Sequence, residues 1–443
     1  MTDLLIQNCL VLRIPNRTTA IVDEGQDILI RGNRITAIQP TGLADPSHFR
    51  ETIDASGLLA MPGLINTHAH VPMVLFRGLA EDVPLDRWFN EYIWPLEHNL
   101  QPGDVGLGME LGLAELIRGG VTTVADHYFN MHEAAAAVEK SGARAVLGWA
   151  IFGTGGEEAL DNSVQFCQQW QGAADGRITT LLAPHAPYTC PDDFLRMVAA
   201  AARETDLNIH IHAAETLDQT RASVEKTGRT PIQILEDTGL LDRPTIVAHA
   251  CGATDDDIAI LAKHGASVAH CPKTYLKLGM ELTRVTAMHA AGVHVGLGSD
   301  GAVSNNTLNI LEAMRLLALL QKDRAHTAEV MPVAEALYTA TRGGAYALGM
   351  GDELGALEPG FLADIALLDL SGLHHQPLHN PAASLVYNAD THDVHTVVIN
   401  GKVVMRRKRV LNIDVTDVLE RARRSMTRLS QRDPAQRIQT YAP

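Results

Sequence analysis

Potential metal ligands and acid–base residues recur at the ends of short apolar segments in this chain. The sequence contains 20 histidines among 443 residues, and several of them close a segment with the pattern of a β-strand. The residues at these ends are His68 and His70, His127, His185, His212 and Glu215, His249, His270, and Asp300. An isolated histidine in an apolar strand is usually a buried structural residue. Its repetition from one strand end to the next instead predicts a shared site that binds an ion and moves protons.

The spacing of four of these residues suits a single metal ion. His68 and His70 are two residues apart, so in a strand both imidazoles point to the same face. His212 adds a third imidazole, and Asp300 adds a carboxylate after the glycine-rich segment GLG. Three imidazoles and one carboxylate suit a borderline divalent ion. We predict that these four residues bind one divalent ion per subunit, with Zn²⁺ preferred and Fe²⁺ as the alternative.

The segments that carry these residues alternate with helical patterns between residues 63 and 350. The predicted strands span 64–70, 121–127, 144–150, 178–185, 208–215, 245–250, 266–272 and 293–300. Between them apolar residues recur every three or four positions, and Gly follows near several helix ends. This alternation predicts an α/β protein with a (β/α)8 TIM-type barrel, whose functional residues lie at the C-terminal strand ends. A doubly wound open sheet is the alternative, which the chemistry at the strand ends disfavours.

Both ends of the chain have the pattern of short strands joined by turns. The first sixty residues contain β-rich segments separated by Gly, Asn and Pro, and Asn400-Gly401 predicts a tight hairpin near the other end. We therefore predict a composite β-sandwich domain from 1–62 and 356–443. The catalytic barrel is predicted to span 63–355.

The charge balance excludes several classes of function. The chain has 36 Lys and Arg against 52 Asp and Glu, a formal net charge of −16. Such a chain repels phosphate backbones and anionic lipid, so we expect no nucleic-acid partner and no membrane association. Five unpaired cysteines and the absence of a basic leader pattern predict a cytoplasmic protein. A homo-oligomer remains open.

Several motifs resemble the metal-binding segments of the amidohydrolase superfamily. They are MPGLINTHAH, HIHAAE, AHA and GSDGAVSNNTLN, and LEPGFLADIALLDL and VINGKVV are also typical. The most similar branch contains cytosine and guanine deaminases, triazine hydrolases and methylthioadenosine/S-adenosylhomocysteine deaminases. The resemblance implies a barrel flanked by a small β-sandwich. Two-metal hydrolases on this barrel usually carry a bridging lysine on strand four; segment 178–185 has none, which favours one ion.

The same resemblance implies substrate contacts. Segment 71–97 is similar to the corresponding part of nucleoside-type deaminases, where Glu97 matches the carboxylate that accepts the two ribose hydroxyls. His185 matches a base-contacting histidine. Tyr275 replaces an Asn that is common in this branch. Variants that act on S-adenosylhomocysteine commonly carry arginine near the end of strand three, where this chain has Trp149.

The sequence around Trp149 predicts an uncharged pocket for the substrate's tail. Residues 145–176 contain no Lys or Arg, and Lys140, Arg144 and Arg177 flank this window. The carboxylate of an amino-acid tail requires a cation. An aromatic, uncharged wall formed by Trp149 therefore favours a thioether tail.

The resemblance and these observations together predict hydrolytic deamination of an adenine nucleoside. The first choice is 5′-methylthioadenosine, giving 5′-methylthioinosine and ammonia, with S-adenosylhomocysteine or adenosine as weaker substrates. Glu215 is expected to protonate the purine ring, Asp300 to take the water proton, and His249 to stabilise the tetrahedral centre. A guanine, pterin or triazine hydrolase is the alternative. A two-metal amide hydrolase and a non-enzymatic binding protein are disfavoured, since the bridging lysine is absent and all four ligands are present.

Overall fold

The computed structural model describes residues 3–433 and contains two nine-stranded sheets. The strands in chain order are β1 Asp3–Asn16, β2 Thr19–Arg31, β3 Arg34–Pro40, β4 Glu51–Asp54, β5 Leu58–Pro62, β6 Leu64–His70, β7 Val121–Tyr128, β8 Arg144–Ile151, β9 Ile178–Pro184, β10 Asn208–Ala213, β11 Thr245–His249, β12 Ser267–His270, β13 Val295–Leu297, β14 Asp300–Gly301, β15 Ile365–Asp369, β16 Val394–Ile399, β17 Lys402–Arg406 and β18 Arg409–Val410. The α-helices span Leu85–Arg87, Trp94–Glu97, Asp104–Arg118, Met131–Ser141, Gly156–Trp170, Ala173–Gly176, Asp192–Thr205, Leu217–Thr227, Pro231–Asp237, Asp255–His264, Pro272–Leu278, Val285–Ala290, Ile310–Ala325, Val333–Ala340, Arg342–Ala347, Pro381–Tyr387 and Val415–Leu429. A π-helical segment covers Trp88–Ile93.

Strands β6 to β14 form the barrel. Neighbouring strands are parallel, and helices follow most of them on the outside. Helix Asp192–Thr205 illustrates the packing, because its buried residues recur at three- and four-residue spacing and cover one face. The strands are apolar and almost wholly buried, as parallel strands covered by helices must be.

The eighth barrel strand is divided into β13 and β14, and the ring closes through the pairing of β14 with β6. β13 pairs with β12, whereas β14 pairs with β6, so the two short segments share one strand position. At the break, a side chain on Gly298 would collide with the carbonyl oxygen of His68 at 2.9 Å. The Asn66 side chain bridges the break, accepting from Ser299 N at 3.0 Å and donating to Ser299 Oγ at 2.7 Å. These hydrogen bonds hold the first and last barrel strands together just before Asp300, the first residue of β14.

The second sheet is built from both ends of the described chain. Its order is β18-β17-β16-β15-β5-β1-β2-β3, with β4 beside β1, and most neighbours are antiparallel. The main hydrophobic core continues across this sheet and the barrel. The predicted (β/α)8 barrel with a second β-unit from both termini is confirmed. The domain boundaries at 62/63 and 355/356 stay a prediction.

A buried ion pair ties the two units together at the N-terminal end of the barrel strands. Arg144, the first residue of β8, donates to both carboxylate oxygens of Asp364 at 2.9 and 3.0 Å. Both side chains are almost fully buried. Within residues 3–433, no helix is long and apolar enough to cross a membrane.

Candidate functional site

Four of the predicted ligands converge at the C-terminal end of the barrel. The Nε2 atoms of His68 and His70 lie 3.7 and 3.4 Å from Oδ1 of Asp300. The Nε2 atom of His212 lies 3.4 Å from that of His70. A shared ion would bridge separations of this size. The structure therefore brings together the four residues that the sequence nominated.

The other nitrogen of each ligand histidine has a hydrogen-bond partner. His70 Nδ1 lies 2.6 Å from the carbonyl oxygen of His127, and His212 Nδ1 lies 2.7 Å from the carbonyl oxygen of His185. A carbonyl only accepts, so Nδ1 carries the proton in both rings and Nε2 keeps its lone pair. Partners of this kind orient the histidine ligands of metal sites.

The chemistry of the donor set fits a divalent metal ion. His68 Nε2 is buried and has no hydrogen-bond partner among residues 3–433. Burial lowers the pKa of His68 and of His212 well below the ordinary value, so both rings are neutral and have a lone pair for a metal. The orphaned buried nitrogen is explained once an ion supplies its partner. These residues therefore suit a divalent ion with three imidazoles and one carboxylate.

His249 lies close to this cluster, at the end of β11. Its ring offers a ligand atom within 4.8 Å of those of His68 and His212. Its carbonyl oxygen accepts from Thr283 Oγ1 at 2.8 Å, and its φ is 77°, in the left-handed region. Burial lowers the pKa of His249 to about 4, so the ring is neutral. A neutral imidazole at this position can accept or donate a hydrogen bond beside the ion.

Glu215 lies where β10 turns into its loop, and it has the properties of a proton donor. Burial raises the pKa of its carboxyl to about 7, and nearby Asp300 adds to the rise, while hydrogen bonds from Tyr188 and Gln219 oppose it. The Gln219 side chain also accepts from the Glu215 backbone N–H at 2.8 Å. A carboxyl with a pKa near neutrality can deliver and recover a proton at physiological pH.

A cavity of about 640 Å³, including its mouth, joins these groups to the substrate residues predicted from the sequence. The charged or titratable residues of its lining are His70, Glu97, His127, Tyr128, His185, His212, Glu215, His249 and Asp300. Its apolar wall consists mainly of Met73, Leu85, Trp88, Phe89, Ile93, Trp94, Phe129, Phe152, Leu278 and Met280. The described lining contains no Lys or Arg.

Glu97 and His185 occupy separate parts of this wall. Burial raises the pKa of Glu97 to about 8, and a hydrogen bond from the Tyr128 hydroxyl moderates the rise. The His185 ring stacks on Phe152 with centroids 4.6 Å apart, and its Nδ1 lies 3.0 Å from Thr189 Oγ1. Burial lowers the pKa of His185 to about 3, which keeps the ring neutral. The neutral His185 ring and the Glu97 carboxyl group therefore face the same cavity as the metal cluster.

The placement of Trp149 in the tail pocket is corrected by the structure. Its ring packs against His132 and Phe166, with centroids 5.5 and 5.8 Å away, and is absent from the cavity lining. Residues two apart in a strand share a face, and Ala150 and Phe152 face the cavity, so Trp149 takes the opposite face. Phe152 supplies the aromatic wall expected of Trp149.

The cations that flank this window do not reach the cavity. Arg144 pairs with Asp364, and Arg177 donates to backbone carbonyls, including that of Ala143 at 2.6 Å. Lys140 pairs with Glu110 at 2.6 Å. Arg144 is the first residue of β8 and Arg177 immediately precedes β9, so both lie at the opposite end of the barrel from the site. The described lining therefore lacks a cation, as predicted, although Trp149 is not part of it.

A second group of potential ligands lies far from the cavity lining. His374 Nε2 and His375 Nε2 each lie 3.1 Å from Oδ2 of Asp393. The same oxygen accepts from the Asp390 backbone N–H at 2.8 Å, and His375 Nδ1 lies 2.6 Å from Ser384 Oγ. This oxygen already serves as an acceptor for the loop, so structural hydrogen bonding accounts for the cluster.

Comparison with known proteins was consistent with this geometry. Residues 59–404 match the family model described as "Amidohydrolase family". A relative from Pelotomaculum thermopropionicum, named 5-methylthioadenosine/S-adenosylhomocysteine deaminase, is 43% identical over 98% of this chain and 100% of its own length. A relative of the same name from Desulforudis audaxviator is 44% identical over 96% of this chain and 99% of its own.

Solved structures resemble the whole chain as well. An adenosine deaminase from Xanthomonas campestris with bound zinc has a TM-score of 0.91 and 34% identity, covering 97% of this chain and 98% of its own. An atrazine chlorohydrolase from Arthrobacter aurescens complexed with zinc has a TM-score of 0.83 and 28% identity, covering 97% of this chain and 100% of its own. The resemblance stated from the motifs is confirmed.

Proposed function

Because this chain belongs to the amidohydrolase family, we propose that it deaminates an adenine nucleoside hydrolytically, with 5′-methylthioadenosine as the preferred substrate. The observation that carries this proposal is one cavity that holds the metal cluster, the proton donor Glu215 and the sugar-binding candidate Glu97. The relatives named methylthioadenosine/S-adenosylhomocysteine deaminase support the substrate class.

The metal that we propose is one zinc ion per chain, held by His68, His70, His212 and Asp300. When bound, the ion lowers the pKa of a water molecule towards ~7 and so provides a nucleophile at neutral pH. The zinc in the similar adenosine deaminase and chlorohydrolase structures supports the choice of ion.

Glu215 and Asp300 carry the protons in this proposal. Water loses one proton to the Asp300 carboxylate as its oxygen attacks C6 of the purine, and Glu215 protonates N1. The C6 amino group then takes the proton from Asp300 and leaves as ammonia, while the hydroxyl proton on C6 restores Glu215. The products are the 6-oxopurine nucleoside and ammonia, and both carboxyl groups return to their starting states. His249 orients the water and stabilises the tetrahedral centre.

Glu97 and His185 position the nucleoside. Once ionised, the Glu97 carboxylate accepts from the 2′- and 3′-hydroxyls of the ribose. His185 contacts the base from its seat on Phe152. The apolar wall that includes Phe152 takes the 5′ substituent. The lack of a cation in the described lining favours a methylthio group over an amino-acid tail, since a buried carboxylate without a partner is costly.

A guanine, pterin or triazine hydrolase with the same metal cluster is the alternative. These substrates have no ribose, so Glu97 would have no function in their binding. Ammonia release from methylthioadenosine, adenosine, S-adenosylhomocysteine, guanine and cytosine, measured with zinc-loaded protein, separates the two. The highest kcat/KM for methylthioadenosine supports the proposal, and turnover of guanine alone contradicts it.

A further inference from the structure

His68 differs from the other ligand histidines in the partner of its Nδ1 atom. Whereas His70 and His212 use backbone carbonyl oxygens, His68 Nδ1 lies 3.0 Å from Nε2 of His210. His210 is fully buried on β10, two residues before His212, and does not line the cavity. A carbonyl can only accept, but an imidazole nitrogen can also donate, so this pair has two arrangements.

Only one arrangement is compatible with metal binding. An ion at His68 Nε2 requires a lone pair there, so the proton of the neutral ring is on Nδ1. His68 Nδ1 then donates to His210 Nε2, and His210 carries its own proton on Nδ1. In the reverse arrangement His210 Nε2–H donates, His68 carries its proton on Nε2, and the ring cannot bind the ion.

We infer that His210 is a positioning residue that accepts the Nδ1 proton of His68 and so holds the ring in its metal-binding orientation. This inference rests on the proposed metal site but not on the substrate. The two rings stand edge to face, with centroids 4.9 Å apart and planes 75° apart, so the hydrogen bond also fixes the angle of the His68 ring. The His127 ring also contacts the His210 ring, with centroids 5.3 Å apart and planes 75° apart.

The test compares three variants by their zinc affinity, measured by competition with a chromophoric chelator. His210→Met retains an apolar side chain of similar length but has no nitrogen acceptor. His210→Gln can place an amide oxygen near the position of Nε2. His270→Met is the matched control, because His270 is equally buried and its ring nitrogens make no hydrogen bond with any residue of 3–433.

We expect His210→Met to weaken zinc binding by about 10- to 100-fold, His210→Gln to recover most of the loss, and His270→Met to stay within about threefold of the wild type. Equal zinc affinity for His210→Met and the wild type overturns the inference. So does an equal loss in His210→Gln and His210→Met, because that outcome shows a packing effect. Failure of the wild type itself to bind zinc refutes the metal proposal instead.

A measurement on the wild type avoids any failure of a variant to fold. Histidine-selective ¹⁵N labelling distinguishes protonated from unprotonated ring nitrogens, and zinc-loaded protein should show the His210 proton on Nδ1. Its assignment follows from its hydrogen-bond coupling to the His68 ring, so no variant is needed. A His210 proton on Nε2 in zinc-loaded protein overturns the inference.

Discussion

Replacing Glu97 with Gln separates a nucleoside deaminase from a hydrolase of free bases. The substitution retains the size of the side chain and an oxygen acceptor but removes the negative charge that strengthens the hydrogen bonds from the ribose hydroxyls. Glu97 lines the cavity and lies outside the metal cluster, so the ion and the proton carriers remain in place. The change therefore tests sugar binding without disturbing the reacting centre.

The expected loss follows from the type of hydrogen bond removed. A hydrogen bond to a charged group contributes about 1.5–3 kcal/mol, and 1.4 kcal/mol is a tenfold change, so one lost charged contact reduces kcat/KM about 10- to 150-fold. Near pH 7 the wild type realises only part of this binding free energy, because the Glu97 carboxyl has a pKa raised to about 8 and must be ionised first. We therefore expect the full difference only above pH 8.

The assay is a cycle with two substrates and two enzymes at pH 8.5. Ammonia release from adenosine and from 2′,3′-dideoxyadenosine is measured for the wild type and for Glu97→Gln, with the zinc content determined in parallel. The wild type should lose at least about 10- to 150-fold, the value for one charged contact, on removal of both hydroxyls, and the variant only a small factor, because the charged partner is already gone. An unchanged preference for adenosine in Glu97→Gln would refute the assignment of Glu97 to the ribose.

The remaining predictions concern the tail, the acid, the pH profile and the metal. Methylthioadenosine should exceed S-adenosylhomocysteine in kcat/KM by about 10- to 100-fold; Phe152→Arg should narrow this gap while Trp149→Arg, on the outer face, should not, and equal values in the wild type would contradict the uncharged pocket. Glu215→Gln should keep zinc but lower kcat by ~10²-fold or more; loss of zinc would mean that Glu215 is a ligand. In the free enzyme Glu97 must be ionised and Glu215 protonated, with pKa values of about 8 and about 7, so kcat/KM should peak between these values and fall on both sides, and Glu97→Gln should lose the acidic limb. His68→Ala should abolish both zinc binding and turnover, and metal analysis of the wild type should give one ion per chain rather than two.

The barrel and its ligands could be predicted because they depend on local sequence patterns. The first barrel strand is observed at Leu64–His70, with the predicted bounds, and His68 and His70 share a face through the two-residue period of a strand. A barrel gathers the C-terminal ends of all its strands at one face. Position at a strand end was therefore sufficient to nominate His212 and Asp300 without any knowledge of distances.

The face of Trp149 could not be predicted because the end of its strand was uncertain by one or two residues. The sequence predicted a strand over 144–150, which makes Trp149 one of the last residues before the loop. The observed strand extends to Ile151, so the residue that enters the cavity is Phe152. In a two-residue period, a shift of one position exchanges the two faces.

The contacts that orient the ligands were beyond sequence reasoning for a different reason. The hydrogen bond between His68 and His210 joins residues 142 positions apart. Tyr128 lies on β7 and Glu97 at the end of helix Trp94–Glu97, yet each affects the pKa of the other. No local pattern encodes such pairs. The backbone conformation at the site could not be predicted from local sequence either, because His249 and Asp300 adopt positive φ values of 77° and 58° at their strand ends. Non-glycine residues adopt this conformation at a cost. The surrounding packing imposes it, and it directs both side chains towards the cluster.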